Sequence, residues 1–143
     1  CGGRRVAITG NHLIGQTNYG VALNSTASGC TVAGNAFDGC LQGILARGTG
    51  HAISGNSIVD CVGANNTGLV MQAGGDGITV VGNSVVDTRA GAARTTVAAL
   101  RIEATVTNAV VRDNVFRNTT GAATSGWTNL VNSLGSQAEN VTT

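Results

Sequence analysis

A chain of 143 residues with 42% hydrophobic content is long enough for one domain with a buried core. Eight arginines against seven acidic residues leave a net charge of +1, with no lysine or proline, so no basic footprint argues for nucleic acid. No uninterrupted apolar run reaches membrane-spanning length, and none of Cys1, Cys30, Cys40 and Cys61 stands at zinc-ligand spacing from another cysteine or a histidine.

Read in chain order, one hexapeptide keeps returning. Ile8-Thr9-Gly10-Asn11-His12-Leu13 comes first. It is followed by Val32-Ala33-Gly34-Asn35-Ala36-Phe37, Ile53-Ser54-Gly55-Asn56-Ser57-Ile58, Val80-Val81-Gly82-Asn83-Ser84-Val85 and Val111-Arg112-Asp113-Asn114-Val115-Phe116. An apolar residue three before the Asn and another two after it predict a buried strand, a tight corner and a second buried strand. The asparagines Asn11, Asn35, Asn56, Asn83 and Asn114 are 24, 21, 27 and 31 residues apart, a period that marks a solenoid. Between corners lies a third apolar tetrad: Gly20-Val21-Ala22-Leu23, Gly43-Ile44-Leu45-Ala46, Gly68-Leu69-Val70-Met71, Ala99-Leu100-Arg101-Ile102 and Asn129-Leu130-Val131-Asn132. Alternation at period two with β-branched residues at the buried places reads as strand. The fold expected is therefore all-β, a parallel solenoid of about five coils with three short strands each, every strand pairing one coil away at about 4.8 Å.

These corners and tetrads, which cover roughly residues 6 to 132, resemble the right-handed parallel β-helix, or pectate-lyase-like, superfamily. The resemblance implies that each corner Asn stacks on the next and itself tolerates the left-handed backbone of the corner. It also implies a range of activities, from pectin and alginate lyases and hydrolases to the tailspikes with which phages grip or digest host polysaccharide. The fold is shared by all of them, so function has to come from a site.

The repeat sorts the side chains. Inward columns are Val6/Cys30/His51/Ile78/Ala109, Ile8/Val32/Ile53/Val80/Val111, Leu13/Phe37/Ile58/Val85/Phe116, Val21/Ile44/Leu69/Leu100/Leu130 and Leu23/Ala46/Met71/Ile102. Outward columns such as Ala22/Leu45/Val70/Arg101/Val131 are small and nearly uncharged. At least one face is therefore expected to pack on another element or subunit, as in a homotrimer. The chain begins at Cys1-Gly2-Gly3 in mid-coil and ends at Thr143 as a sixth corner strand would begin. On that ground residues 1–143 are expected to be a single segment of a longer β-helix, or one whose ends another chain covers.

Several residues invite a chemical reading. Asp60 and Asp87 each stand four after their Asn, which predicts stacked carboxylates able to act as an acid and nucleophile pair, share a proton or hold Ca²⁺; otherwise each bonds its own turn. Arg89 and Arg94 lie nearby to neutralise them or hold a uronate. Arg101 and Glu103, two apart on one strand, are either a surface ion pair or a sugar clamp. Trp127, the one tryptophan, sits in a long loop as a sugar-stacking platform or a loop anchor. His51 follows Gly50 as in a polygalacturonase signature, but Ala52 breaks the match and its column makes it a core histidine. Cys40 and Cys61, both five after their Asn, are expected to stack in adjacent coils, as buried thiols or as a disulfide. The resulting expectation is a carbohydrate-recognising segment of a tailspike or of a secreted or surface protein, extracellular or on a virion, with a polysaccharide as partner. The alternative is a polysaccharide lyase or glycoside hydrolase using Asp60 and Asp87.

Overall fold

A computed structural model describes residues 1–61, 67–89, 98–118, 128–130, 136–137 and 141–142. All regular structure in them is strand, in three parallel sheets. The first takes β1 (Ala7–Thr9), β4 (Thr31–Ala33), β7 (Ala52–Ser54), β10 (Thr79–Val81), β13 (Val110–Arg112) and β16 (Ser136–Gln137). The second takes β2 (His12–Ile14), β5 (Ala36–Asp38), β8 (Ser57–Val59), β11 (Ser84–Asp87), β14 (Val115–Asn118) and β17 (Val141–Thr142). The third takes β3 (Tyr19–Leu23), β6 (Gln42–Ala46), β9 (Thr67–Met71), β12 (Ala98–Ile102) and β15 (Thr128–Leu130). Each strand pairs with the one three elements along the chain, which is a β-solenoid. The coil count agrees only roughly with the sequence expectation, the sheets holding six, six and five strands.

The register follows the hydrophobic repeat, because a slip of one residue would turn every buried side chain outward. Ile8 pairs with Val32, Val32 with Ile53, Ile53 with Val80 and Val80 with Val111. In the second sheet Phe37 stands on Ile58 and Val85 on Phe116. Phe37, Ile44, Ile53, Ile58, Leu69, Leu100 and Phe116 are all fully buried, and a side chain of this size contributes about 1.5–3 kcal/mol when removed from water.

The corners are held by an amide ladder. The backbone N–H and the Nδ2 of Asn35 both donate to Oδ1 of Asn56, each at 3.0 Å, and the same double bond links Asn11 to Asn35, Asn56 to Asn83 and Asn83 to Asn114. One part of the expectation is corrected. The left-handed residue is the one before the Asn: Gly10, Gly34, Gly55 and Gly82 at φ of 60–68° and Asp113 at 57°. Placing the left-handed turn one residue earlier leaves the Asn amide free to point along the solenoid axis and bond its neighbour. Further left-handed columns are Arg5, Gly29, Gly50, Gly77 and Asn108 before the first strand, and Gly15, Gly39 and Asp60 after the second.

Glycine at the head of the third strand answers a different need. A Cβ on Gly20 would lie 2.3 Å from Phe37, on Gly43 2.5 Å from the carbonyl oxygen of Gly68, and on Gly68 2.4 Å from Val85. The third strand crosses close over the second at this point. On the outward side of the same sheet Leu45 and Val70 are only 4% and 2% exposed, so this face is covered within the single chain.

Candidate functional site

The predicted Asp60 and Asp87 pair comes together in register, but the two side chains differ in burial. Val59 pairs with Val86, so Asp60 stands opposite Asp87. Asp60 takes the left-handed turn at φ 53° and stays partly exposed. β11 runs one residue further, and its alternation carries Asp87 inward, where it is 0% exposed. The left-handed column of Gly15 and Gly39 therefore ends at Asp60, because Asp87 does not turn there.

Arg89 joins the two acids. Its Nε lies 3.1 Å from Asp87 Oδ1 and 3.8 Å from Asp60 Oδ1, its Nη2 donates to Asp87 Oδ2 at 3.2 Å, and the same Nη2 donates to the Cys61 carbonyl at 2.7 Å. Asp60 in turn accepts from the backbone N–H and the hydroxyl of Thr88, both at 2.6 Å. Desolvated charge with this many donors is a tie between coils at the start of a loop. Arg94 and Trp127 fall outside the described residues.

Arg101 and Glu103 are an ion pair at 2.6 Å, and the second carboxylate oxygen accepts from Ala73 N–H in the preceding coil at 3.0 Å. Burial pushes the Glu103 carboxyl up, but the Ala73 N–H, Arg101 and Gln72 outweigh it and hold the group below the usual carboxylate range. Gln72 also accepts from Arg47 Nε. Arg101 Nε is buried without a hydrogen-bond partner. His51 is a core residue, as expected. Its Nδ1 accepts from Cys30 N–H at 3.1 Å, so Nε2 carries the proton that faces the Arg47 carbonyl at 2.7 Å. Burial pushes its pKa down, against the opposing pull of that carbonyl.

A second arrangement escaped the sequence reading. Arg4, Ser28, Thr49, Asp76 and Thr107 pair one with the next by single parallel bridges, forming a file along the axis outside the three sheets. Beside it runs the left-handed column Arg5, Gly29, Gly50 and Gly77, whose three glycines leave an open groove of about 720 Å³ lined by Arg4, Arg5, Ser28, Thr49 and Asp76. Neither Arg4 nor Arg5 makes an ion pair among the described residues. Asp76 Oδ1 accepts from Thr107 Oγ1 at 2.8 Å and Asn108 Nδ2 at 2.7 Å; these two bonds, Thr107 first, hold its carboxyl below the usual range. The signal was in the repeat: each member of the file stands two residues before the inward column that starts at Val6.

Among family models, one described as "Periplasmic copper-binding protein (NosD)" matches residues 2–96. No curated protein matches the chain, and no solved structure does.

That description raises copper, and every His, Cys and Met of the chain lies in the described residues. No three His, Cys, Asp or Glu side chains among them gather to hold a metal ion, so the donor set for a three- or four-coordinate centre is not there. His51 has both ring nitrogens engaged, Met71 is buried in an aliphatic column, and His12 is exposed on the first coil. The sulfur donors brought together in adjacent coils are Cys40 and Cys61, both thiols and both buried.

Proposed function

This chain belongs to the NosD family, and we propose that it is a non-catalytic, carbohydrate-recognising β-helix segment working outside the cytoplasm. The observation that carries this reading is the groove before the first strand of each coil, where the guanidinium of Arg4, the hydroxyls of Ser28 and Thr49 and the carboxylate of Asp76 stand in file at one-coil intervals of about 4.8 Å, with Arg5 beside Arg4 and neither arginine in an ion pair among the described residues. Hydroxyls and carboxylates bond sugar hydroxyls, and the guanidinium fork bonds either hydroxyls or acidic substituents. A rigid row of such groups on an open glycine floor suits an extended chain lying along the axis.

The alternative of a lyase or hydrolase draws no support from Asp60 and Asp87. Asp87 is sealed from solvent and paired with Arg89, and Asp60 is engaged by Thr88 and by the same guanidinium, whereas a general acid must reach its substrate. The groove reading is tested by affinity electrophoresis and calorimetry against a panel of neutral and acidic polysaccharides. Ser28→Ala and Thr49→Val, which remove exposed or half-exposed hydroxyls, are each expected to weaken binding by about 2- to 10-fold, the worth of one hydrogen bond. No binding across the panel, or binding indifferent to both variants and to Arg4→Gln, removes the proposal.

A further inference from the structure

Taking the groove before the first strand to bind carbohydrate, as proposed above, we infer that it selects an acidic polysaccharide whose anionic groups are spaced apart. One carboxylate or sulfate is held by Arg4 and Arg5, and a further anion is turned away at Asp76. The file from Arg4 through Ser28 and Thr49 to Asp76 crosses three coil intervals, about 14 Å. Both positive charges of the groove stand at one end of that file and the carboxylate at the other, with neutral hydroxyls between them. Both arginines are exposed, and neither is in an ion pair among the described residues. Two adjacent planar forks bond a carboxylate or a sulfate through several charge-assisted hydrogen bonds at once.

Arg5 is an unusual residue for its place. Each member of the left-handed column donates its backbone N–H to a carbonyl of the next coil: Arg5 to Ser28 at 2.8 Å, Gly29 to Thr49 at 2.9 Å, Gly50 to Asp76 at 2.8 Å and Gly77 to Thr107 at 3.0 Å. Glycine makes that turn without strain, whereas Arg5 makes it at φ 54° with a long side chain. The turn therefore gives no reason for an arginine, and backbone strain of this kind gathers where a side chain meets a ligand. The Arg5 stem runs over the bare floor of the next coil, its Cγ 3.5 Å from where a Cβ on Gly29 would stand. At the far end Thr107 and Asn108 both donate to Asp76 Oδ1 and hold its carboxyl below the usual range, so it is charged wherever a uronate is charged. One pyranose advances a glycan by roughly the ~4.8 Å of a coil. A polymer with an acid on every sugar thus sets one against Asp76 whenever another lies on the arginines, and like charges about 4 Å apart in water weaken binding about 5-fold.

Calorimetry tests this with hyaluronan and sodium κ-carrageenan, whose carboxylates and sulfates fall on alternate sugars, with polygalacturonate, which is acidic at every sugar, and with neutral dextran. At least one alternating polymer is expected to bind, and which of the two does so tells carboxylate from sulfate. Carboxyl reduction or desulfation of that polymer should weaken it at least 10-fold, as should raising the salt from about 0.1 M to about 1 M, which shortens the screening length from about 10 Å to about 3 Å. Arg5→Gly, which restores the residue of the other coils, should weaken binding about 3- to 10-fold with a thermal midpoint no lower than the parent's. Asp76→Asn keeps an acceptor for Thr107 and Asn108 and should raise the affinity for polygalacturonate about 3- to 5-fold relative to the alternating polymer. The charge assignment is overturned by binding that survives removal of the acid groups, by Arg5→Gly binding like the parent, by polygalacturonate binding as tightly as the alternating polymers, or by dextran as the ligand. In those cases the carbohydrate reading stands if Ser28→Ala still weakens binding. No binding by any of the four polymers removes both.

Discussion

Replacing Asn56 by Ala removes four side-chain hydrogen bonds from the middle of the ladder. Oδ1 accepts from the backbone N–H and the Nδ2 of Asn35, while Nδ2 donates to the Val32 carbonyl at 2.9 Å and to Asn83 Oδ1 at 2.9 Å. Asn35 Nδ2 keeps its bonds to Ile8 and Ala33, but the Asn35 N–H loses its acceptor inside a buried corner. An orphaned buried donor costs about 1–3 kcal/mol, and the other lost bonds about 0.5–1.5 kcal/mol each. Relaxation recovers part of this, so about 3–5 kcal/mol is the expected loss, a large share of a typical domain's stability. Asn11→Ala is the control. Its side chain only donates, to Thr9 and to Asn35 Oδ1, and Asn35 Oδ1 keeps the Asn11 backbone N–H. Since Asn11 is exposed, about 0.5–1 kcal/mol is expected there. Urea unfolding followed by circular dichroism measures both. A difference between the two variants below about 1 kcal/mol would refute the view that the ladder's worth lies in buried satisfaction rather than in the presence of an amide.

Stability should also fall with acidity through His51. Its folded pKa lies below the ordinary 6.5, so the unfolded chain takes up protons first and the stabilisation present above that value is lost as pH drops toward the folded pKa. Denaturation midpoints at pH 7 and pH 5 should differ in the parent chain and converge in His51→Leu; an unchanged pH slope in the variant sinks the assignment. At the close crossing of the third strand, Gly43→Ala places a Cβ 2.5 Å from the Gly68 carbonyl and 2.9 Å from Ile58. A cost of about 1–3 kcal/mol follows from overpacking against backbone that cannot give, and a thermal midpoint equal to the parent's would contradict it.

The coil repeat was legible from residues alone, because the spacing of Ile8, Leu13 and Val21 and of their counterparts admits one register in which all of them are buried together. The same periodicity anticipated the Asn file, the core place of His51 and the stacking of Cys40 on Cys61. It could not reveal that Gly10 and its equivalents, rather than the asparagines, take the left-handed turn, since both residue types tolerate it and only the direction of the amide bonds decides. Nor could it separate Asp60 from Asp87. Their offsets from the corner are identical, and only the fold shows that β11 runs on through Asp87 and turns it into the interior, where Arg89 pairs with it. Local pattern, repeated coil after coil, determined the scaffold. The groove of Arg4, Arg5 and Asp76 and the fate of each carboxylate were decided by tertiary structure, because charge is placed by the partners that fold around it and not by its distance along the chain.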